Sequence, residues 1–316
     1  MLRQVLDVLD VLDDPAASGA RVAELLHAHG ARHVSVEPVA GERGTTDFVK
    51  VVVPGARGRH AGGDAPTLGV IGRLGGVGAR PSRIGYVSDG DGAAASLAAA
   101  LKLADMARRG DALPGDVILA THVCPHAPPV PHEPVPFMGS PVDIATMNRF
   151  EVDPAMDALL SIDTTKGNRV VNHRGIAISP TVCEGWILRV SEDLLDVLQR
   201  VTGRLPVVFP LTMQDITPYG NDVYHLNSIL QPATATAAPV VGVAITAEVA
   251  VPGSGTGASH EVDIELAARY AVEVAKDFGA GQLRFHDPAE LARLVRLYGE
   301  MRRLQTPGAA PGGLPR

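Results

Sequence analysis

The chain is poor in the residues that staple, stack or span. Its 316 residues include two cysteines, Cys124 and Cys183, one tryptophan, and 4% aromatics in all. Two cysteines cannot make a disulfide framework, so both thiols read as reduced and the protein as cytoplasmic. No apolar run approaches the ~20 residues of a membrane-spanning helix. The N-terminus lacks the basic, apolar, small-residue order of a secretory signal. No Lys/Arg-rich run occurs, and 28 basic against 35 acidic residues leave a net charge of −7. That balance argues against a nucleic-acid partner. The spaced motifs G-x-G-x-x-G, G-x-x-x-x-G-K-[ST], G-x-S-x-G and H-E-x-x-H are also missing. Nucleotide loops, serine-hydrolase elbows and simple zinc-protease helices are thereby disfavoured.

What is present is a long aliphatic chain. Hydrophobic residues make up 46% and charged residues 20%, a soluble, globular balance with ample core. "MLRQVLDVLDVLDD" has helical spacing, and Ser18 is placed to cap a second helix, "GARVAELLHAHG". "HVSVEPV", "FVKVVVPG", "TLGVIG", "DVILAT", "ALLSID", "GIAIS", "LPVVFP" and "APVVGVAI" read as strands. Ala93–Arg109, "SEDLLDVLQRVTG", "EVDIELAARYAVEVAKDF" and "PAELARLVRLYGEMRRL" read as helices. Strands alternating with helices predict a three-layer α/β/α sandwich with a mixed, mostly parallel sheet. The reading is one domain over residues 1–305, with a Pro-rich loop at 124–141 and a disordered tail at 306–316. That loop reads as a lid or as a contact between copies in a homo-oligomer.

In open α/β sheets, ligands bind outside the carboxyl ends of the strands. Polar residues collect at those places: Arg73 after "TLGVIG", Asp89 and Asp91 before a helix, His122, Cys124 and His126 after "DVILAT", Asp163 after "ALLSI", and His260 before another helix. Asp with His is a ligand set suited to zinc, manganese or iron. Each residue also has a plain reading. Asp89 or Asp91 can cap a helix, Asp163 can fix a turn, and His122 can be a satisfied core histidine. Cys124 beside His122 and His126 admits a thiol nucleophile, although inert buried cysteines are commoner. Glycines at 72, 75, 76 and 78 crowd the loop around Arg73, but their spacing is not that of a phosphate loop.

"GRLGGVGARP", "VSDGDGA", "PFMGSPVD", "SIDTTKGN" and "LQPATATAAPVVGVAIT" closely resemble an uncharacterised bacterial family, a conserved domain of unknown function. More distantly, the order of elements is similar to that of co-catalytic zinc aminopeptidases and carboxypeptidases. "SDGDGAAASLAAALKLADMA" resembles their bridging-aspartate turn, "LLSIDTT" a later Asp ligand, and "GSGTGASHEVDIELAARYAVEVAKDF" the terminal His ligand turn. The resemblance implies a metallopeptidase-like (phosphorylase/hydrolase-like) fold. It also implies Asp89 or Asp91, Asp163 and His260 as ligands. It departs where that family's H-x-D falls on Arg73-Leu74-Gly75 and its Glu-Glu pair on Cys124-Pro125. A guanidinium at a ligand position would repel a cation and attract a carboxylate or phosphate.

The expectation is therefore a hydrolase acting on an amide or peptide-like bond of a small amino-acid-derived metabolite. One divalent metal, zinc or manganese, would sit among Asp89, Asp91, His122, Asp163 and His260. Arg73 would hold a substrate carboxylate, with Cys124 and His126 lining the pocket. A metal-free enzyme of another class and a small-molecule binding protein on a degenerate peptidase fold stay open beside it.

Overall fold

The computed structural model describes residues 1–131, 136–165, 167–212, 219, 221, 223–250 and 259–308. His132, most of the glycine-rich loop before His260 and the last eight residues of the tail lie outside them. The strands are β1 (His33–Gly41), β2 (Gly44–Val53), β3 (Leu68–Gly72), β4 (Gly76–Val77), β5 (Val117–Cys124), β6 (Pro129–Val130), β7 (Phe137–Met138), β8 (Ala158–Thr165), β9 (Gly175–Ile178), β10 (Val182–Cys183), β11 (Trp186–Ile187) and β12 (Val240–Thr246). The helices are α1 (Leu2–Leu12), α2 (Gly19–Ala28), α3 (Asp91–Arg108), α4 (Ile144–Glu151), α5 (Glu192–Thr202), α6 (Glu261–Gly279) and α7 (Pro288–Tyr298).

The main sheet runs β1-β2-β5-β3-β8-β12-β10-β11. Its centre, β5-β3-β8-β12, is parallel, and the flanking pairs are antiparallel. The central strands are apolar along their whole length because both faces are covered. Alternation still sorts the side chains. Val117, Leu119, Leu68, Val70, Leu160, Ile162, Val241 and Val243 pack on one face with α1, α2, α3, α5 and α6. Ile118, Ile71, Leu159, Val240 and Ala244 face the other way, toward Phe209, Ile229 and Leu230. This second face is covered by α4 and the 3₁₀ segment Ser228–Thr234. The result is the expected α/β/α sandwich with a mixed sheet.

Ser18 caps α2 as its position predicts, its side chain accepting from the Arg21 amide. Two readings are corrected. "LPVVFP" forms only a single bridge, Ile178 to Val208, because Pro206 and Pro210 remove the amides a ladder needs. The eight-residue helix α4 has no counterpart among the expected elements. Its N-cap is Asp143, whose side chain accepts from the Thr146 amide at 2.7 Å. Among the described residues no helix is long and apolar enough to cross a membrane.

Candidate functional site

Two polar clusters form at the carboxyl ends of the parallel strands. The first is sealed under α4. Register places Phe48 opposite His122 and Ala120 opposite Ile71. His122 and Arg73, each two residues further along, therefore stand side by side on the second face. Beyond the end of β3, the Arg73 amide still bonds the Ile162 carbonyl at 2.7 Å, keeping the residue in the sheet.

Glu151, the last residue of α4, reaches into this row. Its Oε1 lies 2.7 Å from His122 Nδ1, and its Oε2 lies 2.8 Å from Arg73 Nε. The second contact is an ion pair whose geometry falls outside that of a hydrogen bond. All three side chains are at most 1% exposed. Arg73 also donates from Nη1 to Gln231 Oε1 at 2.7 Å and from Nη2 to Asn148 Oδ1 at 2.6 Å. Asn148 in turn donates to the Gln231 carbonyl and the Thr234 hydroxyl, both at 3.2 Å. The guanidinium fork is thus filled by α4 and the 3₁₀ segment. His122 Nε2 is buried with no hydrogen-bond partner and packs against Gly75. Gly75 has φ +129°, and a Cβ there would sit 2.5 Å from the imidazole. The glycine of the Arg73 loop therefore serves this close approach.

The second cluster is more open. Asp91 begins α3 and is buried, accepting a hydrogen bond from Ser259 Oγ at 2.6 Å. Burial holds its carboxyl well above the usual carboxylate range; the Ser259 and Tyr86 hydroxyls pull the other way, and the Asp89 and Glu261 carboxyls add to the rise. The Tyr86 hydroxyl is buried beside Asp91 without meeting strict hydrogen-bond geometry, and burial likewise raises its pKa. Asp89 is half-buried; its Oδ2 accepts from the Met138 amide at 3.3 Å and its carbonyl from the Leu74 amide at 3.1 Å. Thr164 Oγ1 donates to the Ser88 carbonyl at 2.7 Å, tying the end of β8 to the start of α3. Asp163, half-buried on β8, accepts the Thr164 amide at 2.8 Å. His260 is the exposed N-cap of α6 and makes no side-chain cap bond.

The expected residues thus divide. Asp89, Asp91, Asp163 and His260 stand at neighbouring strand and helix ends, while His122 and Arg73 belong to the sealed network. Arg73 does meet an anion, and that anion is Glu151 of the same chain. Cys124 lies 1% exposed in a small apolar cluster with Val77, Ala79, Val87, Ala127 and Met138. Burial pushes its thiol up, the environment of an inert cysteine. His126 is exposed, with Nδ1 3.3 Å from the Arg80 carbonyl. Among the described residues no group of three or more His, Cys, Asp or Glu side chains could hold a metal ion. The expected ligands do not come together as such a group: His122 is sealed under α4 with Arg73 and Glu151, and Asp89, Asp91, Asp163 and His260 do not form one. Glu151, Asn148, Gln231, Ser259 and Tyr86 were not singled out by the sequence, since none belongs to a spaced motif.

The match to a family model decides membership, covering residues 37–308. The chain belongs to the family described as protein of unknown function, DUF1177. None of the curated proteins matches its sequence. Several solved structures are distantly similar to it. A cytosol aminopeptidase from Coxiella burnetii shares 14% identity at a TM-score of 0.48, over 89% of this chain and 69% of that one. A glutaminyl cyclase from an Acidobacteriales bacterium shares 12% at 0.48, over 89% and 94%. An amidase of the hydantoinase/carbamoylase family from Burkholderia phymatum shares 10% at 0.48, over 89% and 98%. Likeness at this level does not extend to substrate or mechanism.

Proposed function

We propose that this family member is a hydrolase-like enzyme of the cytoplasm. It acts on an amide or peptide-like bond of a small, amino-acid-derived molecule at the carboxyl ends of β3, β8 and β12. The observation that carries the reading is Asp91: a buried carboxyl, bonded by Ser259 and neighboured by the Asp89 and Glu261 carboxyls, at the start of α3. Carboxyls whose surroundings separate their protonation states divide acid and base roles between them. Asp91 would donate a proton to the leaving amine, and Asp163 or Asp89 would take one from the attacking water. A substrate carboxylate would meet the exposed His260 at the start of α6, since Glu151 already fills Arg73.

A second reading is favoured by one observation. The sealed Arg73–Glu151–His122 network spends on the fold itself the groups a hydrolase would spend on substrate. On that reading the chain binds a small molecule without converting it.

The test is a panel of N-acyl amino acids, dipeptides and primary amides, with wild type and Asp91→Asn assayed in parallel. Turnover by the wild type and not by the folded variant is the expected result. A panel member that raises the melting temperature of the wild type but is not consumed overturns hydrolysis and selects the binding reading.

A further inference from the structure

The far end of α3 carries a second constellation that the proposed reaction does not use. Where α1, α2 and α3 meet, a cleft of about 210 Å³ is lined by Arg3, Gln4, His29, Asp105, Arg108 and Arg109, with Ala28. Arg108 stands seventeen positions after Asp91 along α3, so the cleft lies about 26 Å from the strand-end cluster. The chain as a whole carries −7, and here three arginines and a histidine line a cleft with one carboxylate, Asp105, while a second, Asp7, stands at its edge. Basic groups at helix C-termini can answer the helix dipole alone, but the hydrogen-bond pattern goes further than that.

Asp105 is spent internally. Its Oδ2 takes Gln4 Nε2 at 3.3 Å and His29 Nδ1 at 3.2 Å, and its Oδ1 takes Arg108 Nη2 at 3.2 Å. These contacts take three of the carboxylate's roughly four acceptor sites, and neither Arg3 nor Arg109 bonds it among the described residues. Arg108 is held from a second side as well: its stem packs on Gly30, φ +97°, where a Cβ would lie 2.9 Å from Cδ. Arg3 has only a 3.9 Å contact with Asp7, which also stands 3.9 Å from His29. Arg109 makes no ion pair or side-chain hydrogen bond among the described residues. Two guanidinium forks therefore face a small cleft beside a third that is already oriented. Guanidinium forks suit the paired oxygens of phosphate and carboxylate.

We propose that this cleft binds a small phosphate- or carboxylate-bearing anion, at a site separate from the strand-end cluster. The experiment is calorimetric titration of the full chain at constant ionic strength. Inorganic phosphate and citrate are titrated separately, with chloride as the control, into wild type, Arg3→Ala/Arg109→Ala and Asp91→Asn. Both arginines are exposed, so the double variant should fold as the wild type does. Saturable binding of phosphate or citrate is expected, weakened at least tenfold in the double variant and unchanged in Asp91→Asn. The tighter of the two anions identifies the head group. Equal binding by wild type and double variant, or heats no different from those of chloride, would overturn the proposal. Because Asp91→Asn is included, loss of hydrolysis and loss of anion binding are read separately.

Discussion

The two polar clusters at one sheet edge treat charge in opposite ways. Under α4, Arg73 and His122 are sealed from solvent with Glu151, which contacts both. At the start of α3, Asp91 is equally buried but bonds Ser259, next to the exposed His260, and is neighboured by the half-buried Asp89 and by Glu261. The first arrangement satisfies groups that could not otherwise be buried. The second raises a carboxyl's pKa by burial within reach of the surface, which favours a role in proton transfer. A buried ion pair is thus no sign of chemistry by itself, and the more open, apparently weaker cluster is the better candidate for it.

The largest expected effect tests the open cluster. Asp91→Asn should lower turnover about 10²–10⁴-fold, the usual worth of a positioned proton donor, while the variant stays folded. A change below tenfold would place the chemistry elsewhere. The same variant has a pH signature. The folded chain retains a proton on Asp91 that the unfolded chain releases, because burial raises that carboxyl. Its contribution is therefore most favourable below the ordinary Asp pKa of about 3.9, and it falls as pH rises toward the raised value. Unfolding free energies measured against pH should show the wild type losing stability relative to Asp91→Asn across that window. Parallel curves would mean that Asp91 is ionised in the folded chain.

The sealed cluster should show the reverse pattern, with stability lost first. Glu151→Gln removes the carboxylate facing a buried guanidinium and should cost about 3–5 kcal/mol in denaturant unfolding. Replacing Arg73 and Glu151 together by Met and Leu should cost less than Glu151→Gln alone, since no uncompensated charge remains. A loss below about 1 kcal/mol for Glu151→Gln, a level reached by ordinary surface pairs, would mean that the network is hydrated and open.

This division also marks where the sequence could be read. Long periodic elements such as α1, α3 and α6, the helix starts beside Asp91 and His260, and the Ser18 cap follow from local patterns. Glu151 does not. It ends an eight-residue helix between loops, and its partners Arg73 and His122 lie 78 and 29 residues before it. Only the packing of α4 and the 3₁₀ segment onto the second face brings them together. Arg73 was readable as an anion's partner, but which anion depended on that packing. "LPVVFP" failed for a local reason, because its two prolines outweigh its apolar alternation.

The smallest of these effects concerns the glycine loop that joins the two clusters. Gly75→Ala should cost about 1–3 kcal/mol, partly for a φ of +129° and partly for a Cβ 2.5 Å from the His122 ring. These two causes can be separated. The φ cost and the 2.8 Å approach to the His122 carbonyl stay in any background, whereas the clash with the ring exists only while Glu151 holds the imidazole in place. In a double-mutant cycle with His122→Ala, the cost of Gly75→Ala should shrink by at least about 0.5 kcal/mol, the level at which contacting residues show coupling. Strict additivity would mean that the ring yields freely and that Glu151 does not fix it. The sealed cluster would then be looser than its hydrogen bonds imply, and His122 Nε2 would be a group that substrate could reach.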